Sequence, residues 1–276
     1  MSGSASMLGA ERGRELRRLL VEQGSVRVSV EARRLGVSEE TIRRDIKRLA
    51  ADGVADAVFG GAVLKGAATE ARLPSVRERD RFEERAKDAI GAAAARLVEP
   101  GQSLVIDAGT TTLAFARRLA SVPRLTVITN SLPVAETCAG LSEGTVYVVG
   151  GKLVPGSLSM IGPRAGRDLA RLRADWAFLG AAAIDPDAGF TSADPYEAEV
   201  KRAMIRAARR TVILADRTKF GARHYASFAQ ASDIDHVITT RGAPAEIEPW
   251  LAAAGVGLTL CDPDPTDASE HGDETP

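Results

Sequence analysis

The chain has 276 residues, a formal net charge of −1, and a composition that is 45% hydrophobic, 26% charged and 4% aromatic; at roughly 100–200 residues per domain, that length predicts two domains. So few aromatics exclude a stacking platform for single-stranded nucleic acid, and no apolar run is long enough to span a bilayer. The near-zero charge is unevenly spread: residues 11–52 hold eleven Arg/Lys and eight Asp/Glu, a net of 11 − 8 = +3, whereas 262–276 hold six acids and no Lys or Arg, a net of −6.

The opening MSGSASMLGA lacks a basic n-region and an apolar run, so 1–10 reads as a disordered leader rather than a signal peptide. Leu16, Leu19 and Leu20 follow i, i+3, i+4 spacing and predict a helix over 11–22, ended by Gly24. From Ser25 to Val54 the pattern gives a short extended piece and two short helices around Gly36. VADAVFGGAVL (54–64) reads as a small hairpin, closing a first domain over 11–64. Residues 65–80, with Gly66 and Pro74, form a linker, and a helix is expected from about Phe82 to Val98. Apolar runs then recur at 103–107, 125–129, 145–150, 175–180, 211–215, 236–240 and 256–260, with helical stretches at 112–120, 131–140, 164–173, 196–209 and 244–254 between several of them. Strands alternating with helices predict a mainly parallel sheet covered on both faces, over 81–261. The tail 262–276 is polar, acidic and expected to be disordered. Cys138 and Cys261 stand far apart without metal-ligand spacing, which points to a reducing cytoplasmic setting and assigns no metal or cofactor.

The second short helix carries the first chemistry. Ser38 is a good N-cap, and Val37 and Ile42 have the spacing of a hydrophobic staple. Ile42, Ile46 and Leu49 share one face, to pack on the first helix. Thr41, Arg43, Arg44, Lys47 and Arg48 are left for the other faces. A helix, a glycine turn and a second helix with that basic surface form a helix-turn-helix pattern, suited to guanine edges and phosphates. A solvated amphipathic helix with i, i+4 ion pairs fits the same periodicity.

The second chemistry lies at strand ends. SLVIDAGTTT (103–112) runs from a strand ending at Asp107 through Gly109 into a helix that starts with Thr110, Thr111 and Thr112. Gly109 is expected to permit a tight turn, and the helix N-terminus suits a phosphate. The loop lacks the signatures of nucleoside-triphosphate and dinucleotide sites, and an ordinary Thr-capped turn reads the same way. Asn130, Gly150, Gly151 and Asp216 also follow strands, with Lys219 three residues beyond Asp216, so polar groups converge on one rim. Glu197 and Lys201 stand at i, i+4, either as a surface ion pair or with Lys201 turned to a ligand.

VSEETIRRDIKRL followed by GGAVL resembles the N-terminal domain of the DeoR/GlpR family of bacterial regulators. IDAGTTT, VITNS, VVGG, GFTS, EAEVKRAMI and LADRTKFG resemble successive motifs of its C-terminal domain. The resemblance implies a winged helix-turn-helix joined to a larger Rossmann-like α/β domain similar to ribose-5-phosphate isomerase. It implies a non-enzymatic DNA-binding regulator, a repressor of carbohydrate-catabolism genes released or modulated by a phosphorylated sugar. Double-stranded operator DNA, the sugar phosphate and further copies of the chain are the expected partners, with no membrane. Thr41, Arg43 and Arg44 match the DNA-contacting string, with Ser38, Lys47 and Arg48 beside them. Gly109, Thr110, Thr111 and Thr112 match the phosphate loop, and Asp107, Asn130, Gly150, Gly151, Lys201, Asp216 and Lys219 line the rest. The wing departs from the family in carrying Asp56 and Phe59 where basic residues are usual, so no wing contact is assigned. Two other functions fit parts of the pattern: a sugar-phosphate isomerase with an appended DNA-binding domain, and a DNA-binding protein without a ligand.

Overall fold

The computed structural model describes residues 9–23, 25–58, 61–64, 83–224 and 226–263. The expected leader up to residue 8, Gly24, Phe59, the whole linker and the tail beyond 263 lie outside them. The chain divides into two compact units, one up to residue 73 and one from residue 74.

In the first unit, helix α1 (Gly9–Gln23) is followed by strand β1 (Ser25–Arg27), α2 (Val28–Leu35), α3 (Glu39–Ala51), β2 (Ala55–Val58) and β3 (Gly61–Leu64). The leucine stripe of α1 is the organising feature. Leu16 and Leu20 are fully buried, and they share one core with Ile42, Ile46 and Leu49 of α3. The turn between α2 and α3 needs a left-handed residue, and Gly36 supplies it at φ 62°. The Val37 amide then closes the helix end on the Ala32 carbonyl at 3.0 Å, a glycine-based C-terminal stop. β1 pairs antiparallel with β3, placing Val26 opposite Ala62, and β2 pairs with the other edge of β3. The extended piece and the hairpin expected separately are therefore one three-stranded sheet.

The second unit opens with α4 (Glu84–Ala95). It starts later than its apolar pattern suggests, because Glu83 is left-handed at φ 54° and sets the boundary. Then come β4 (Ser103–Ile106), α5 (Thr110–Arg117), β5 (Thr126–Thr129), α6 (Leu132–Cys138) and β6 (Thr145–Val148). A hairpin of β7 (Lys152–Val154) and β8 (Ser159–Ile161) precedes α7 (Pro163–Ala170) and β9 (Ala174–Gly180). β10 (Ala183–Asp185), β11 (Gly189–Ser192), α8 (Pro195–Ala207), β12 (Ala208–Leu214), β13 (Ala226–Ala229), β14 (His236–Thr240), α9 (Ile247–Ala253) and β15 (Gly257–Cys261) complete the unit.

Seven strands form one sheet in the order β15-β14-β12-β9-β4-β5-β6, and every neighbouring pair is parallel. After β4 the chain winds outward through β5 and β6, returns to β4 with β9, and winds outward the other way. The order therefore reverses between β4 and β9, the point where doubly wound sheets place ligands beyond their strand ends. Alternate side chains feed two cores. Leu104 and Ile106 join Ile90 and Phe115 of α4 and α5 on one face, and Val105 joins Leu169 and Met204 of α7 and α8 on the other. α4 lies close on α5: a Cβ at Gly91 would come within 2.8 Å of the Ala114 carbonyl carbon. The short strands β7, β8, β10, β11 and β13 were not expected from periodicity, and β10-β11-β13 form a separate antiparallel sheet. Among the described residues, no helix is long and apolar enough to cross a membrane.

Candidate nucleic-acid interface and sensor site

α3 starts where its sequence says. The Ser38 hydroxyl accepts the Thr41 amide at 3.2 Å and lies 2.8 Å from the Thr41 hydroxyl. Ser38 is thus taken up in capping, and Thr41 presents its methyl group and the remaining capacity of its hydroxyl. Arg43 is tied to Glu39 at 2.6 Å, with Glu40 at 3.9 Å. Arg44, Lys47 and Arg48 are exposed, opposite the buried Ile42, Ile46 and Leu49. Asp45 faces inward, and Arg12 of α1 reaches it across the core in an ion pair whose two side chains are each 10% exposed. A second, more open network joins α1 to α2: Arg18 and Arg34 both bond Glu15 and hold its carboxyl down to about 2. Of the wing positions that depart from the family pattern, Phe59 lies outside the described residues, and Asp56 is known by its pairing with Val63.

At the sheet's reversal point the strand ends build a polar nest. Asp107 is 2% exposed. Its Oδ2 accepts the Gly180 amide at 3.1 Å and an ion-paired hydrogen bond from Lys201. Lys201 also donates to the Gly180 carbonyl at 2.9 Å and stands 5.2 Å over the Phe228 ring. The i, i+4 alternative is not what forms: Glu197 accepts the Ser192 hydroxyl at 3.0 Å, and Lys201 turns inward to β4. Asn130 donates to the Met160 carbonyl at 3.3 Å, and its Oδ1 is buried with no partner among the described residues.

The phosphate-loop residues take distinct parts. Gly109 has φ 170° and ψ 164°, extended backbone open to any residue, so the expected tight turn is not its reason for being glycine. A Cβ there would instead crowd the Thr112 hydroxyl at 3.2 Å. Thr112 is fully buried and spends its hydroxyl on the Gly109 carbonyl at 3.0 Å. Gly109 at the N-cap supplies no side-chain cap to α5, which leaves amide donors of its first turn for an anion. Thr110 is half-buried and Thr111 is buried beside them.

Other expected lining residues are farther off. Gly150 and Gly151 follow β6, two strands from β4, or about 10 Å at the usual strand spacing. Both glycines have local reasons: a Cβ at Gly150 would meet Arg164 Nε at 2.7 Å, and one at Gly151 (φ 154°) would meet the Ile161 carbonyl oxygen at 2.6 Å. Asp216 follows β12, two strands away on the other side, and caps its own turn by accepting the Thr218 amide at 2.9 Å. In alternation it follows Val212 and Leu214, which belong to the α4–α5 face, opposite to Asp107. Lys219 is half-buried in that turn. The structure thus sets Asp107, Gly109, Thr110, Thr111 and Asn130 at the ends of the neighbouring strands β4 and β5, joins Lys201 to Asp107, and sets Gly150, Gly151, Asp216 and Lys219 along the flanks. Gly180, which holds both members of the ion pair, was missed; the only hint is its place at the end of DWAFLG. Among the described residues, no group of three or more His, Cys, Asp or Glu could share a metal ion.

Comparison with known proteins matches both units. Residues 12–66 match the DeoR-like helix-turn-helix domain, and residues 83–241 match the DeoR C terminal sensor domain. The chain is 31% identical over 260 residues to a putative aga operon transcriptional repressor of Escherichia coli O157:H7, covering 94% of this chain and 97% of that protein. It is 29% identical over 243 residues to the glycerol-3-phosphate regulon repressor of Escherichia coli strain K12, covering 88% and 95%. Among solved structures, a D-ribose-5-phosphate isomerase in complex with phospho-erythronic acid aligns with a TM-score of 0.37 and 15% identity, over 50% of this chain and 54% of that one. With its two domains in this order, the chain belongs to the DeoR family of DNA-binding transcriptional regulators.

Proposed function

We propose that this regulator represses carbohydrate-catabolism genes and is released or modulated by a phosphorylated sugar bound at the β4–β9 strand ends. The observation that carries the reading is the coincidence of three features at the sheet's reversal point. Gly109 at the N-terminus of α5 offers it no side-chain cap, a buried Asp107–Lys201 pair stands at the end of β4, and Asn130 Oδ1 is buried without a partner among the described residues. Helix amides suit a phosphate. An orphaned acceptor costs about 1–3 kcal/mol until a donor meets it, and a sugar hydroxyl is such a donor. Thr110 and Thr111 stand at the phosphate end, Asn130 and Lys201 at the sugar end. The names of the relatives, an aga operon repressor and a glycerol-3-phosphate regulon repressor, support a carbohydrate signal.

On this reading α3 enters the major groove of operator DNA, with Thr41, Arg43, Arg44, Lys47 and Arg48 toward bases and phosphates. The chain acts in the cytoplasm as a homo-oligomer on repeated sites. The effector shifts the DNA-competent population by as much as its affinity differs between states. An isomerase would need a free base beside the substrate carbonyl. Asp107 is held by Lys201 and Gly180, and Asp216 caps a turn two strands away, which favours sensing over turnover.

Thermal-shift measurements against a panel of sugar phosphates, with the parent sugars as controls, test this. One sugar phosphate should raise the melting temperature while its unphosphorylated parent does not. A silent panel would sink the sensing half, and turnover of any pentose or hexose phosphate would sink the non-enzymatic half. Thr111→Val should abolish the response to the active compound and leave DNA binding intact.

A further inference from the structure

The recognition helix is held by two different kinds of contact. Ile42, Ile46 and Leu49 seat it on the core by shape, and apolar contact of this sort is non-directional. Asp45 adds a directional one. At about 100° per residue, Asp45 lies about 60° from Ile42 and about 40° from Thr41 on the helical wheel. It therefore stands where the buried stripe meets the DNA-facing surface. Arg12 comes from α1, 33 residues earlier, and pairs with it through Nε. Both side chains are largely out of water, where an ion pair is a poor source of stability compared with apolar residues of similar volume. Its value is geometric: a planar guanidinium donates to a carboxylate in few orientations.

We propose that the Arg12–Asp45 pair is a positioning device for DNA reading. It fixes the roll of α3 about its own axis, so that Thr41 and Arg44 meet base edges, and it sets sequence discrimination more than overall affinity. Non-specific binding draws on phosphate attraction and tolerates a small roll. Base contacts with a bidentate arginine do not. Neither Arg12 nor Asp45 needs to touch DNA for this.

The test uses the full-length chain and two duplexes: one selected from a random pool by the wild-type protein, and a scrambled version of it. The double variant Arg12→Met with Asp45→Leu replaces the pair by apolar groups. It is expected to stay folded, to bind the scrambled duplex within about twofold of wild type, and to lose about tenfold or more of the selected-to-scrambled affinity ratio. Arg12→Lys keeps the charge and forfeits the planar fork, so it should lower the ratio in the same direction by a smaller factor. A folded double variant with the wild-type ratio overturns the proposal. If the double variant does not fold, a wild-type ratio in Arg12→Lys overturns it instead, since a merely structural pair would not move that ratio.

Discussion

Arg43 and Arg44 are neighbours in sequence and stand in different electrical surroundings. Arg43 is already bonded to Glu39, so part of what it would gain from DNA is cancelled by giving up that partner. Arg44 is exposed and has a full charge to offer. Arg44→Ala should therefore weaken operator binding by about 1–3 kcal/mol, and Arg43→Ala by less; fluorescence anisotropy at fixed salt checks both, and an Arg43 effect larger than the Arg44 effect would contradict this ranking. In the sensor unit, Asp107→Asn leaves the Lys201 ammonium buried beside a neutral amide. Breaking one side of a buried pair costs about 3–5 kcal/mol, which calorimetry should report as a marked fall in the melting temperature of that unit. The two residues differ in how legible they were. Asp107 announces itself by ending an apolar strand before a glycine. Lys201 lies 94 residues later, in a helix where Glu197 offers an i, i+4 partner that it does not use. Local spacing predicts local pairs, and this contact is made by topology.

Helices and the strands of the large sheet were readable because burial writes a period into the former and a continuous apolar run into the latter. Ile42, Ile46 and Leu49 of α3, and the apolar runs of β4, β9 and β12, are such records. The strands β7, β8, β10, β11 and β13 hold three or four residues each and, unlike the equally short β4, carry no run of three branched apolar residues, so their segments read as loops or ligand motifs. Close packing is also silent in sequence. Gly91 sits inside α4, where Ala would ordinarily stabilise a helix by about 1 kcal/mol. Here its Cβ would press on the backbone of α5 at 2.8 Å, and overpacking of this kind costs about 1–3 kcal/mol. The clash should win, so Gly91→Ala is expected to be destabilising in urea melts. The α1–α2 contact makes a pH prediction. The Glu15 carboxyl is lowered from 4.5 to about 2, first by its hydrogen bond from Arg18 and then by that from Arg34. A depressed folded-state value stabilises above the unfolded value and stops doing so as pH falls through the folded one. The contribution is thus complete above about pH 4.5 and disappears towards pH 2; Glu15→Gln should flatten the stability profile of the N-terminal unit across that window, as followed by circular dichroism.

Across the whole molecule, the two units keep separate apolar cores, and reading and sensing are assigned to different ones. The order of the large sheet carries a consequence for how the protein is made. β4 is central in the finished sheet, between β5 and β9. While the chain is being synthesised it has only β5 for company, because β9 does not end until Gly180, and 180 − 106 = 74 residues separate the ends of the two strands. At about 5–20 residues per second, that interval lasts about 4–15 s. Throughout it the β4 edge, whose Leu104, Val105 and Ile106 end up fully buried, offers unpaired backbone groups to any passing strand. An exposed strand edge is a site for aggregation and chaperone capture, and the strand arrival that closes this one also brings Gly180 to Asp107.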